Sequence, residues 1–133
     1  MDDGFSLIEL IVVIAIIGII SLIAMPNYTA IQNKAKVSAL TTAGHTLQSA
    51  IESYAISNGS YPSGEGLNGG ELFALLTQSG DVKTIPKNPY TGQSFAAGDT
   101  AGKIAYSYDS TTQTYEIKLY GETVSSPSVT LSN

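Results

Sequence analysis

The chain has 133 residues, 43% hydrophobic and only 13% charged, which fits a single domain with about half the charge usual for a soluble globular protein. Against 11 acidic side chains stand 6 basic ones, all lysine, and the formal net charge of -5 argues against a protein that tracks nucleic-acid phosphates. No cysteine is present, which excludes disulfide frameworks, cysteine-zinc sites and thiol catalysis.

The apolar residues are concentrated at the front. From Phe5 to Met25 the run is interrupted only by Ser6, Glu9, Gly18 and Ser21, and its single charge is Glu9. At about 1.5 Å per residue a helix of this length is roughly 30 Å long, the thickness of a bilayer hydrocarbon core. A cleaved secretory signal would need a basic leader and a small-residue cleavage site after the run; here Met1-Asp2-Asp3-Gly4 precedes it and Pro26-Asn27-Tyr28 follows it. A plain membrane anchor leaves Glu9 unexplained, because an unpaired carboxylate in an apolar span costs on the order of 2.5–3.5 kcal/mol.

The helix is expected to continue beyond that span. Val37, Leu40, Leu47, Ile51 and Tyr54 recur at spacings of 3, 7, 4 and 3, one face of an amphipathic helix. Asn58-Gly59 is a natural stop, followed by the turn-rich Ser60-Tyr61-Pro62-Ser63-Gly64. Phe5 to Ser57 then reads as one element on the order of 80 Å long, which must project from a compact domain of this size. Within it Pro26 removes a backbone hydrogen bond and Gly18 weakens the helix on the other side, so a kink is expected there.

Farther on, residues 70–79 read as a short helix, and Ile85-Pro86-Lys87-Asn88-Pro89-Tyr90-Thr91-Gly92 as a loop rich in proline and glycine. Lys103–Tyr108 and Thr114–Tyr120 alternate on either side of Asp109-Ser110-Thr111-Thr112-Gln113 and predict a hairpin, with Ser128–Leu131 as a candidate third strand. The expected class is α+β: a long amino-terminal helix packed on a small antiparallel sheet, with the sheet spanning about 103–131.

Gly4-Phe5-Ser6-Leu7-Ile8-Glu9-Leu10 and the apolar run after it resemble the class III signal of type IV pilins and the major pseudopilins of type II secretion. The likeness extends to about Tyr61 and covers the rest in outline. It implies a leader of residues 1–4, a transmembrane and filament-core helix over 5–28, and a globular head over 29–133. It further implies that prepilin peptidase cuts between Gly4 and Phe5 and methylates the amino group of Phe5, that Glu9 is the glutamate used in subunit assembly, and that Gly18 and Pro26 mark the helix break. Tyr28 matches a tyrosine common after that proline. Implied partners are further copies of the chain, the peptidase, an inner-membrane assembly platform and the membrane itself. The implied locations are the inner (cytoplasmic) membrane for the precursor and an extracellular or periplasmic filament after assembly. The leader departs from the family pattern, since Asp2 and Asp3 stand where basic residues are usual. The nearest lysines, Lys34 and Lys36, lie beyond the span and by the positive-inside rule would place the head in the cytoplasm; orientation therefore follows the resemblance.

Catalytic chemistry has little to draw on. His45 is the single histidine, with Glu52 two turns away as its nearest ligand-type companion, and reads as a polar helix residue. Some major pseudopilins bind calcium, which directs attention to Asp99, Asp109, Glu116 and Glu122; their wide spacing favours solvated carboxylates and no cofactor. Gly64-Glu65-Gly66-Leu67-Asn68-Gly69 follows a turn and not a strand, so it is loop composition. Tyr106, Tyr108, Tyr115 and Tyr120 read as packing and rim residues, and Lys103 and Lys118 are too few for a basic stripe, so no nucleic acid is expected. The favoured function is a structural subunit of a type IV pilus or pseudopilus filament. The alternative is a bitopic, membrane-anchored binding module that never polymerises, and an enzyme is a distant third, because one histidine, no cysteine and scattered carboxylates assemble no nucleophile, base and orienter.

Overall fold

The computed structural model describes residues 4–64 and 66–133, without the side chains of 24–27. The expected leader residues Asp2 and Asp3, Glu65 of the glycine-rich string and the side chain of Pro26 lie outside the described residues. Helix α1 runs over Leu7–Asn58, and the chain divides into two compact units, one ending at Ala35 and the other Lys36–Asn133.

In the first unit α1 starts at a cap built from two residues. The Ser6 carbonyl accepts from the amides of Glu9 (3.1 Å) and Leu10 (3.3 Å), while the Ser6 amide donates to Glu9 Oε2 at 2.9 Å. This is the reciprocal half of a capping box, with the acidic side chain at the positive end of the helix dipole. After it the apolar side chains stand exposed on every face of the helix, from Leu7 through Ile14 to Ile23. Among the described residues no single helix is long and apolar enough to cross a membrane; Leu7–Ile23 and Tyr28–Asn58 meet that test only as a pair, by length and composition.

In the second unit the rest of α1 buries Leu40, Ala43, Leu47, Ala50 and Ile51, with Tyr54 packed at the margin and Val37 half-buried. The two alanines fill the gaps in the larger apolar stripe and let the sheet come close. The helix ends with the Gly59 amide donating to Ala55 O at 2.8 Å and Gly59 at φ 77°, a left-handed cap that a side chain resists.

Strand β1 is the short pair Leu67–Asn68, a strand that the sequence pattern did not suggest. Asn68 then caps helix α2, Gly69–Gln78, in a full capping box: its side chain accepts from the Glu71 amide and the Glu71 carboxylate accepts from the Asn68 amide. Strands β2 (Ile104–Asp109), β3 (Thr114–Leu119) and β4 (Val129–Ser132) complete an antiparallel meander in the order β1-β2-β3-β4. Registers Tyr106↔Ile117 and Ile117↔Leu131 put Ile104, Tyr106, Tyr115, Ile117 and Leu119 on the inner face. Ser107, Glu116 and Ser132 form an outer row. The period of two along each strand accounts for this division.

The sheet's inner face meets α1 and α2 in one core containing Leu47, Ile51, Phe73, Leu76, Ile117 and Leu119. Gly44 sets how closely helix and sheet approach: a Cβ there would lie 2.6 Å from Leu119 Cδ1. The result is the α+β arrangement expected from the sequence, with four strands in the sheet.

Candidate functional site

Gly4 and Phe5 lie before the first turn of α1, and Phe5 is 88% exposed. Among the described residues a Cβ on Gly4 would meet no atom within 4 Å. Glu9 sits one turn inside, beside Phe5, Ile8, Val12 and Val13 along a shallow apolar trough. Its side chain accepts from the Ser6 amide of the same chain. Gly18 is equally open, since a Cβ there would also meet nothing within 4 Å. The five residues singled out from the sequence therefore occupy one stretch of α1 and its lead-in, along the helix and not around a cavity.

The head holds its titratable groups in local structural work. His45 is exposed on α1, with Nδ1 3.4 Å from Gln48 Oε1. Glu52, the companion considered for it, instead accepts from Tyr115 Oη at 2.7 Å and Tyr61 Oη at 3.1 Å. The aromatic group around that carboxylate was not legible as a unit in the sequence, since its members come from α1, the following turn and two strands. Tyr61 lies with ring centroids 5.0 Å from Tyr115 and 5.8 Å from Tyr108, and Tyr106 stacks on Tyr115 at 6.1 Å. Burial raises the phenols of Tyr106 and Tyr115 well above the usual tyrosine range, and the hydrogen bond to Glu52 adds to the shift at Tyr115. These side chains remain neutral hydrogen-bond donors in the core. Tyr120, expected on a strand, instead lies just past the end of β3, with Lys103 Nζ 6.0 Å above its ring.

The carboxylates considered for calcium are separately engaged. Asp99 Oδ2 accepts from the Ala96 amide at 2.9 Å and from Asn88 Nδ2 at 3.0 Å. Asp109 Oδ1 accepts from the amides of Thr111 (2.8 Å) and Thr112 (3.4 Å), and the Thr111 amide is the main cause that holds its carboxyl below the usual range. Glu116 pairs with Lys118 at 2.6 Å and raises the lysine's pKa. Glu122 lies near Tyr90, whose phenol is raised chiefly by burial and secondarily by this negative charge. Among the described residues no three of His, Asp and Glu gather around a point that would hold a metal ion.

Two family models match the chain. Residues 2–25 match the prokaryotic N-terminal methylation motif, and residues 27–127 match protein G of the type II secretion system (T2SS). Comparison with curated proteins and with solved structures found no match. The second model covers most of the chain, takes in the amphipathic half of α1, α2 and the first three strands, and abuts a processing motif that includes Gly4, Phe5 and Glu9. The chain belongs to the family of type II secretion system protein G, the pseudopilins, and carries a prepilin-type signal.

Proposed function

We propose that this pseudopilin-type secretion subunit is cut between Gly4 and Phe5, methylated on the Phe5 nitrogen, held in the inner membrane by the apolar part of α1, and polymerised through that helix into a periplasmic filament. The observation that carries the reading is an apolar helical segment with no cover of its own, Ile8 and Leu22 being 70% and 75% exposed. At roughly 25 cal/mol per Å² of apolar surface, lipid or neighbouring helices must shelter it. Packing against further copies retains most of the burial that the bilayer provided, so transfer from lipid to filament is near balance.

Glu9 then tips that balance. The cut leaves an ammonium on Phe5 at the positive end of a helix dipole, where a cation is disfavoured, one turn from a carboxylate in an apolar trough. In a staggered array one subunit's ammonium meets a neighbour's Glu9, and each neutralises the other where water is excluded. The Ser6 amide serves Glu9 until that partner arrives. Gly18 supplies a weak point at which α1 adapts to packing. Contacts that are heterologous and do not close make an open fibre. The inner-membrane assembly platform and prepilin peptidase are the partners this sequence of events requires, and the chain's own contribution is structural.

Intact mass and amino-terminal sequencing of protein sheared from cells, with negative-stain imaging of the same sample, test the reading. The expected outcome is a chain beginning at methylated Phe5 within thin fibres. A chain that keeps its leader, in detergent-soluble particles without fibres, would instead make it a bitopic binding module.

A further inference from the structure

Asn88 is fully buried, in the loop between α2 and β2, and every hydrogen-bonding group it owns is used. Its Nδ2 donates to Asp99 Oδ2 at 3.0 Å and to the Ala101 carbonyl at 2.9 Å, and its Oδ1 accepts from the Tyr90 amide at 2.9 Å. Its backbone amide donates to Gln93 O, and its carbonyl accepts from Gly92 N, both at 2.8 Å. Gly102 closes over it at φ 68°, where a Cβ would lie 2.2 Å from Asn88 Oδ1, and the Gly102 amide donates to Gly121 O just beyond β3. One side chain thus ties residues 90, 99 and 101 together and, through Gly102, seats the loop against the sheet.

The two oxygens that Nδ2 binds, a carboxylate and a main-chain carbonyl, are of the type that a calcium ion takes. Calcium needs six to eight such oxygens, and the residues here do not fit that demand. Of the carboxylates considered for calcium, Asp99 alone hydrogen-bonds within this loop's knot and its Oδ2 already accepts two N–H groups; Asp109 and Glu116 are engaged elsewhere, and Glu122, near Tyr90, joins no group of three His, Asp or Glu among the described residues. We propose that the Asn88 amide organises the loop from Ile85 to Gly102 in place of a cation, so that this head is ordered independently of calcium. A neutral amide offers two fixed N–H donors and satisfies the carboxylate and the carbonyl without the charge a metal would bring, so the loop needs no further acidic residues. This inference stands apart from the assembly reading, since it concerns the order of the head alone.

The test uses the full chain in detergent, with calcium chloride as the probe and EGTA as its control. Thermal unfolding is expected at the same midpoint in millimolar calcium and in EGTA. Hydrogen exchange of Asn88→Ala is expected to speed up about tenfold or more at the amides of Tyr90, Ala96 and Gly102, the scale of one lost buried hydrogen bond. The amides of Leu47 and Ile51 should hold their protection. Should Asn88→Ala fail to fold, Asp99→Ala at the half-exposed partner gives the same localised readout with a smaller change. Asn88→Asp sets a second carboxylate against Asp99 and is expected to unfold earlier, to the same extent in EGTA and in calcium. A calcium-dependent midpoint in the unaltered chain would overturn the proposal, as would unchanged loop exchange in the folded Asn88→Ala or Asp99→Ala variant.

Discussion

Ile8 and Ile51 belong to the same helix and meet opposite surroundings, the first 70% exposed and the second fully buried. Around Ile51 the apolar residues are rationed to one helix face and to alternate strand positions, so a sheet of four short strands and one further helix can cover them. Around Ile8 they occupy every face, and no arrangement of a single small head can cover a cylinder from all sides. The lesson is that hydrophobic content does not decide where burial occurs. Its angular distribution does: a one-sided stripe is satisfied within the head, and an all-round one is left exposed by it.

If that contrast is right, lesions in the two regions should separate cleanly. The largest effect is expected from Gly4→Ala: retention of the leader, seen as intact mass, and loss of sheared fibres, with the head still folded. Normal processing of this variant would place the cut elsewhere. Glu9→Val should next be processed and inserted normally and yet yield roughly ten- to a hundredfold fewer fibres, the scale of losing a charge-assisted pair at roughly 1.5–3 kcal/mol. Undiminished fibre yield would remove the pairing between Phe5 and Glu9.

Lesions in the head should do the reverse. Leu47→Ala empties part of the core under β3 and is expected to cost about 2–5 kcal/mol in thermal or denaturant unfolding, with cleavage after Gly4 unaffected. Glu52→Gln keeps the shape and weakens the acceptor shared by Tyr61 and Tyr115, for an expected loss of about 1–3 kcal/mol. A neutral result there would make the tyrosine cluster a matter of packing alone.

Smallest are the effects of pH, and their signs follow from linkage. The carboxyls of Asp81, held down mainly by Ser53 Oγ, and of Asp109 lie below the usual range; their modest contribution is present above the unfolded value of 3.8 and is lost as pH falls through the folded one. Tyr106 and Tyr115 are raised above 10.0, so their contribution is full below that value. It is lost above it, where the unfolded chain releases protons that the core retains. Stability monitored by near-ultraviolet dichroism should therefore erode at both extremes and stay flat between them. Continued stability well above pH 10 would contradict the burial of these phenols.

Much of this is readable along the chain alone. The long helix, its stop at Asn58-Gly59 and the alternating strands on either side of Asp109–Gln113 follow from periodicity and local turn chemistry, because each is decided by residues a few positions apart, although Asp109 itself closes β2. So does the isolation of Glu9 in an apolar run, since a lone charge is visible against its neighbours. Strand β1 escaped because Leu67 and Asn68 are too few to show a period, and only pairing with Tyr106 and Ala105 makes them a strand.

The sequence by itself determined that one end of the chain is apolar on all sides and the other on one side. That property is local: it is written in the spacing of side chains along a backbone whose period is known. Only the tertiary structure decided that Glu52 serves two tyrosines and not His45, that Gly44 admits Leu119 against the helix, and that Asn88 closes on Asp99 and Ala101. Those contacts join residues far apart in the chain, whose meeting depends on how the whole head packs.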